Sequence, residues 1–464
     1  DNKLVNLFGG AQILTVSICV YVILALSIMS IFYSALLYHK KPQILNIFAD
    51  LTVIPSIIII FIFATSGWYG MYQASTEAYL LISLGVLSFI FGTVANKKYS
   101  TKFAFYRTGK PINTSDLLKT KIYWSMLFIC LSVLSVSIIN ILMFVLSGGT
   151  IGDVYVVAAA ATDGATNELT KNSSQLLLES YIGYPLLYLL VPVSLVEFFS
   201  TYKNKYLIVA ISLALLCVAL DARRTYLTVF VLMIILCVYM HRKDFRYFSS
   251  DLLIKFHKSR KYALLLVPLF ISLFIFVSSQ RSIAADGQDN SSFLQTLTQY
   301  YGASVQFFGS SIHRAGIDDY TFGFSALRGF FAPFFGILKF LGMDSPSVLN
   351  DANTYLEFLH SHLLRISPEK NYNSFATCFF QFYCDGGIIG IVLLSFLYGY
   401  YAQHIFEKMV ILKSKRAEST YVFFFANILM LSFVNMETVL ALNFWPLVLV
   451  KFLYPNFNRL NTLK

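Results

Sequence analysis

The chain has 464 residues, 57% of them hydrophobic and 13% charged, with a mean hydropathy of +0.66 and a formal net charge of +11. That balance excludes a soluble protein of two or three domains and points to an integral membrane protein. The Lys and Arg residues sit mainly in short connections between apolar runs, where they set topology and meet anionic lipid headgroups, so no nucleic-acid partner is expected.

A crossing takes about 20 largely apolar residues. By that measure spans are placed near 11–37, 46–65, 78–96, 122–146, 181–200, 206–221, 225–240, 262–280, 386–406, 420–436 and 438–454. The predicted fold is all-α, a single polytopic bundle of about 11 transmembrane helices. The chain opens on Asp1 without a charged n-region or a small-residue cleavage site, and the first span is expected to stay as an uncleaved anchor. The cysteines at 19, 130, 217, 237, 378 and 384 fall in or beside apolar runs without metal-ligand spacing, and read as small buried hydrophobes.

Orientation follows from the basic residues. Lys97 to Lys121 and Arg242 to Lys261 crowd two connections, and His39 to Lys41, Lys203 to Lys205 and Lys408 to Arg416 fall on the same side under strict alternation; all five are expected to be cytoplasmic. The connections 66–77, 147–180 and 281–372 are then outside, with Trp68 and Tyr69 at an outer interface. Within 147–180, the apolar run Tyr155 to Ala161 either meets the membrane or packs as an ordinary loop. The long connection 281–372 is predicted to form a cap with helices of its own. Phe293, Leu297, Tyr300, Tyr301, Val305 and Phe308 recur at helical spacing, and Phe322 to Met343, broken by Arg328, Pro333 and Lys339, reads as a helix lying in the outer interface. No internal repeat is evident.

Candidate chemistry gathers on the outer side. Asp221, Ala222, Arg223, Arg224 and Thr225 form a tight turn there, and paired arginines run against the usual charge bias. One account is a local Asp221–Arg224 pair with Arg223 snorkelling; the other is an anion site, because the guanidinium fork matches phosphate oxygens. Arg281 ends another span on the same side, and with Arg314, Arg328 and Arg365 of the cap it is a candidate for a cationic pocket. Taken singly, each cap arginine also suits surface solvation or a salt bridge with Asp318, Asp319 or Glu357.

Three histidines are predicted to face outward: His313, His360 and His362. On a helix from about Asp351, with Leu356, Leu359 and Leu363 as its buried stripe, His360 shares a face with Glu357 and His362 with Arg365. A neutral histidine can take a proton from an attacking hydroxyl, with Glu357 orienting it; each of the three also suits a solvated or structural role. Metal catalysis has little support. Connection 66–77 has Glu77 as its only acid, and no HExxH, DxD or Cys/His cluster is present, so neither metal nor cofactor is expected.

Asn373, Thr377, Phe382, Tyr383, Asp385, Gly387 and Gly390, leading into an apolar span that ends near Tyr398 and Gly399, resemble the closing signature of the bacterial O-antigen polymerase (Wzy) family. The Ala222–Arg223 turn and the Phe322, Gly323 to Arg328 region are similar to two further family features, so the resemblance covers about the second half of the chain. The related ligases usually place a histidine just before the Gly-x-x-Gly span. Here Asn371, Tyr372 and Asn373 stand there, which favours polymerase over ligase and leaves the base unidentified. From the residues alone, Gly386, Gly387 and Gly390 permit close helix packing, and Asp385 either caps a helix or meets an arginine.

The resemblance implies glycosyl transfer at the periplasmic face of the bacterial inner membrane, joining repeat units carried on undecaprenyl pyrophosphate. On that reading Arg223, Arg224 and Arg281 hold the pyrophosphate, and Arg314, Arg328, Arg365, Asn373 and Asp385 contact substrate. His360 is preferred over His313 as the base. The implied partners are lipid-linked glycans, membrane lipids and a chain-length regulator protein. The rivals are an O-antigen ligase and a flippase for the same lipid-linked sugars.

Overall fold

The structure is a computed structural model that describes residues 70–104, 118–150, 153–154, 173–221, 225–242, 293–317, 319–343, 346–361, 364–368, 370–372, 377–412, 414–429 and 441–454, with isolated positions between 60 and 64 and between 268 and 276. In chain order the elements are α1 (Thr76–Ala104), α2 (Thr120–Leu146), α3 (Ser173–Leu178), a π-helical turn (Glu179–Gly183), α4 (Tyr184–Thr201), α5 (Asn204–Asp221), α6 (Thr225–Arg242), α7 (Phe293–Arg314), α8 (Arg328–Phe340) and α9 (Ser347–Ser361). Strands β1 (Leu364–Ser367) and β2 (Lys370–Tyr372) follow, then α10 (Cys378–Leu412), α11 (Lys415–Phe423), a second π-helical turn (Phe424–Leu429) and α12 (Ala441–Leu453).

Among the described residues, the stretches Thr76–Asn96, Thr120–Leu146, Ser174–Thr201 and Cys378–Met409 are long and apolar enough to cross a membrane. A helical protein of the membrane type is therefore what the sequence folds into. Shorter apolar helices lie at 204–220, 226–238 and 444–453, within or overlapping the spans expected there. The span near 11–37 and most of those near 46–65 and 262–280 lie outside the described residues, as do Trp68, Tyr69 and the run Tyr155 to Ala161.

The elements fall into two compact units, one holding α1, α7 to α10 and the strands, the other α2 to α6, α11 and α12. In the second unit α4 is the core. Every residue from Pro185 to Phe199 is buried, because α2, α5, α6, α11 and α12 all pack on it. By contrast α2 turns Phe128, Leu142 and Leu146 outward, as a helix facing lipid would. The carboxylate of Glu197 on α4 is buried, and Lys415 Nζ donates to it at 2.9 Å. The described cysteines 130, 217, 237, 378 and 384 are buried and form no disulfide among the described residues, in keeping with small buried side chains.

In the first unit α1 and α10 pack closely along their lengths. The reason is a reciprocal pair of glycines: a Cβ at Gly92 would collide with the Phe396 carbonyl, and one at Gly399 with the Phe89 carbonyl. Backbones can approach so closely only where side chains are missing, which is the packing used by small residues in membrane helices. Asn96 Nδ2 closes the contact on the Tyr400 carbonyl at 2.8 Å.

Two sequence expectations need correction here. Gly386 and Gly387 do not sit between packed helices; they break α10, with non-helical backbone at both and φ 59°, ψ −138° at Gly387, a conformation that suits glycine. The span expected from 386 is thus preceded by a separate helical segment from Cys378. The second correction lies in the cap. Its helix from about Asp351 buries Leu356 and Leu359 as expected, but it ends at Ser361. Arg365 is on β1, paired with Asn371 of β2, so helical spacing does not relate it to His362. The alternation Leu364, Arg365, Ile366 and Ser367 followed by Pro368 is a strand and turn signal in miniature, and it adds a hairpin to a fold expected to be all-α.

Candidate functional site

The site grows from the contact between α7 and the chain entering α1. Gly309 of α7 lies against that entry, where an added Cβ would come within 2.8 Å of Ser75 Oγ and 2.9 Å of Ala78 Cβ. His313 follows four residues later on the same face of α7. The close approach at Gly309 therefore brings the imidazole onto Glu77, with Nε2 3.0 Å from Oε2. Both side chains are about half exposed, at 61% and 49%. The carboxylate fixes one ring nitrogen as donor and leaves the lone pair of Nδ1 as the basic site when the ring is neutral.

Beside this pair is an open cleft of about 230 Å³. Tyr72, Gln73 and Ser75 line it from the chain before α1, Gln306 and Ser310 from α7, and Arg365 from β1. Ser310 is one turn before His313, and Ser75 is two residues before Glu77. The three pieces are held together by the Tyr72 amide donating to the Ile366 carbonyl at 2.8 Å, which adds the chain before α1 to the edge of the hairpin. Arg365 Nη2 donates to the Pro368 carbonyl, using one of five guanidinium N–H groups. Gln306 is 7% exposed, and among the described residues its Nε2 meets no acceptor. A buried donor left so costs about 1–3 kcal/mol.

A second constellation joins the segment before α8 to the break in α10. The buried carboxylate of Asp385, at the break in α10, accepts from Thr321 Oγ1 at 2.6 Å and from the amides of Ser325 and Ala326 at 2.9 Å each. The Thr321 amide donates to the Cys384 carbonyl and the Phe322 amide to that of Asp385. Gly387 lies under the Tyr320 hydroxyl, 2.7 Å from where a Cβ would be. Asp385 thus acts as a cap supplied from another helix: it satisfies amides at the start of the turns leading into α8, where an anion is favoured. The sequence allowed Asp385 to cap the helix it begins or to meet an arginine, whereas its described partners are donors of the 321–326 segment.

From that anchor α8 extends as a 13-residue helix, about 20 Å long and too short to cross a membrane. It exposes Phe334 and Ile337, as a helix lying in an interface would. Arg328, its first residue, donates from Nε to Asn353 Oδ1 of α9 at 2.6 Å. The Tyr355 hydroxyl of α9 donates to the Asp319 carbonyl at 3.1 Å, and burial raises its pKa above the ordinary phenol value, so it serves there as a donor.

The remaining candidates are placed as follows. Arg314 is exposed at the end of α7, where a cation complements the helix dipole. His360 lies in the last turn of α9, and Glu357 is exposed one turn earlier. Arg223, Arg224, Arg281, His362 and Asn373 lie outside the described residues. Of the expected site residues, the structure brings His313 and Arg365 to one region and holds Arg328 and Asp385 in the Thr321-to-α9 framework. Sequence reasoning missed Glu77, Gln306, Tyr72 and Gln73 as site residues. Glu77 carried a signal, as the single acid of its connection. Among the described residues no three of His, Cys, Asp and Glu gather as metal ligands would.

Compared with protein-family models, curated proteins and solved structures, the chain finds no match.

Proposed function

We propose that this protein is a membrane glycosyltransferase that polymerises oligosaccharide repeat units carried on undecaprenyl pyrophosphate, with its site on the periplasmic side of the bacterial inner membrane. The observation that carries the reading is the His313–Glu77 pair set one turn from an open cleft that presents Gln73, Ser75, Ser310 and Arg365. Two further features support it. Connections 66–77 and 281–372, assigned to one side by the basic residues, touch each other at Tyr72 and Ile366 and at Glu77 and His313. The Phe322-to-Arg328 and Asp385-to-Gly390 segments, which separately resemble the O-antigen polymerase family, are knitted together by Asp385.

In this mechanism an acceptor hydroxyl gives its proton to Nδ1 of His313 while Glu77 holds Nε2–H. The hydroxyl oxygen bonds to the anomeric carbon of the donor. The bond from that carbon to the pyrophosphate oxygen breaks, its electron pair leaves with the diphosphate, and the anomeric centre inverts. The departing charge suits guanidinium groups, which match phosphate oxygens and keep their own charge. His313 takes the role first given to His360 because a carboxylate partner is described for it.

The test is a reconstitution with lipid-linked repeat units. A ladder of longer glycans formed from those units alone supports the polymerase; product only when lipid A core is added supports a ligase; and no product, with sugars moved across the bilayer, supports a flippase.

A further inference from the structure

We infer that the cleft lined by Tyr72, Gln306 and Arg365 binds one sugar ring of the acceptor glycan, and that the sugar carries a carboxylate. The inference rests on the polymerase reading and adds the charge class of the repeat unit. At about 230 Å³ the cleft suits a single ring rather than a longer segment. Its wall is mostly apolar, and Gln73, Ser75, Gln306 and Ser310 add amide and hydroxyl groups to it; that mixture matches a ring with an apolar face and several hydroxyls. Tyr72, about half exposed, offers an aromatic face to the apolar face of such a ring.

The charge assignment comes from Arg365. It is the single charged residue in the lining, with no acid among the lining residues to neutralise it. Glu77, nearby in sequence, is engaged by His313. The Pro368 carbonyl pins one N–H of the guanidinium at the rim, and the fork that remains matches a carboxylate. Gln306 reaches the same lining from α7, although its unpartnered Nε2 is itself shut away from the cleft.

The experiment measures binding to the full chain in lipid nanodiscs by calorimetry, without any lipid-linked substrate. The probes are a glucuronate-bearing disaccharide, a galacturonate-bearing disaccharide, their neutral hexose counterparts and inorganic pyrophosphate. We expect at least one uronate to bind about tenfold or more tighter than its neutral partner. Arg365→Gln should erase that preference, and Gln306→Leu should weaken both sugars while keeping it; thermal unfolding identifies any variant that fails to fold. Equal binding of uronate and neutral sugars, a preference that survives Arg365→Gln, or pyrophosphate binding tighter than either uronate overturns the inference. A protein that polymerises neutral units but shows no uronate preference refutes this assignment alone. One that binds uronate at Arg365 but makes no polymer refutes the polymerase and leaves the sugar subsite standing.

Discussion

His313 and Glu77 meet at 3.0 Å, so the last turn of α7 is tied to the first turn of α1 by an imidazole–carboxylate contact. Both groups remain open to solvent, and the open cleft lies one turn away. That combination suits a base better than a structural strut. A half-exposed pair of this kind adds no more than about 1 kcal/mol to stability.

Replacing His313 by Ala should therefore lower turnover by about 10²- to 10⁴-fold while leaving thermal unfolding in detergent almost unchanged. Glu77→Gln should cost less, because it keeps the reach and removes the charge. Turnover on lipid-linked units and a melting curve of the same preparation check both. Near-normal turnover in the His313 variant would return the role of base to His360 or a carboxylate.

Gly309 sets the approach that makes the pair. A larger side chain there must push α7 off Ser75 and Ala78. Gly309→Leu is expected to reduce activity as severely as loss of His313 and to weaken a Tyr72–Ile366 contact that depends on the same packing. Cysteine cross-linking between positions 77 and 313 would read the separation directly, with efficient cross-linking in the wild-type background and little in the Gly309 variant.

Asp385 is the anchor of the turns before α8. Its removal strands the Thr321 hydroxyl and the amides of Ser325 and Ala326 in a buried place. Hydrogen bonds to a charged group are worth about 1.5–3 kcal/mol each, so Asp385→Ala should destabilise the protein by at least about 3 kcal/mol. Limited proteolysis should then cut between 321 and 327, where the wild type resists. An unchanged melting curve and digest would show that the carboxylate is not what holds this segment.

In the other unit, Lys415 and Glu197 form a largely buried ion pair. Removing one partner leaves a charge without compensation, a loss of about 3–5 kcal/mol, whereas replacing both by apolar residues of similar size is close to neutral. Lys415→Met should therefore unfold at lower temperature than Lys415→Met combined with Glu197→Leu. The reverse order would show that the pair is not a closed electrostatic unit.

How much of this could be read in advance depends on the range of the interactions. The helical membrane class follows from composition, and the buried stripe of Leu356 and Leu359 follows from spacing, because both are local properties of the chain. That Asp385 would need polar partners was legible, but its donors come from sixty residues upstream and not from the helix it was expected to cap, and no periodicity encodes that distance. The same holds for Glu77 and His313, whose meeting depends on a small residue at 309 and on two connections folding over one another. The hairpin at 364–372 was lost because a four-residue alternation is shorter than one helical pattern and was absorbed into the helix before it.

The most direct test of the central claim is to count leaving groups. In a reconstituted reaction with doubly labelled lipid-linked repeat units, the account predicts one undecaprenyl pyrophosphate released for each new glycosidic bond, with both lost together in the His313 variant. Sugars that cross the bilayer still joined to their pyrophosphate, with no lipid diphosphate released, would contradict it.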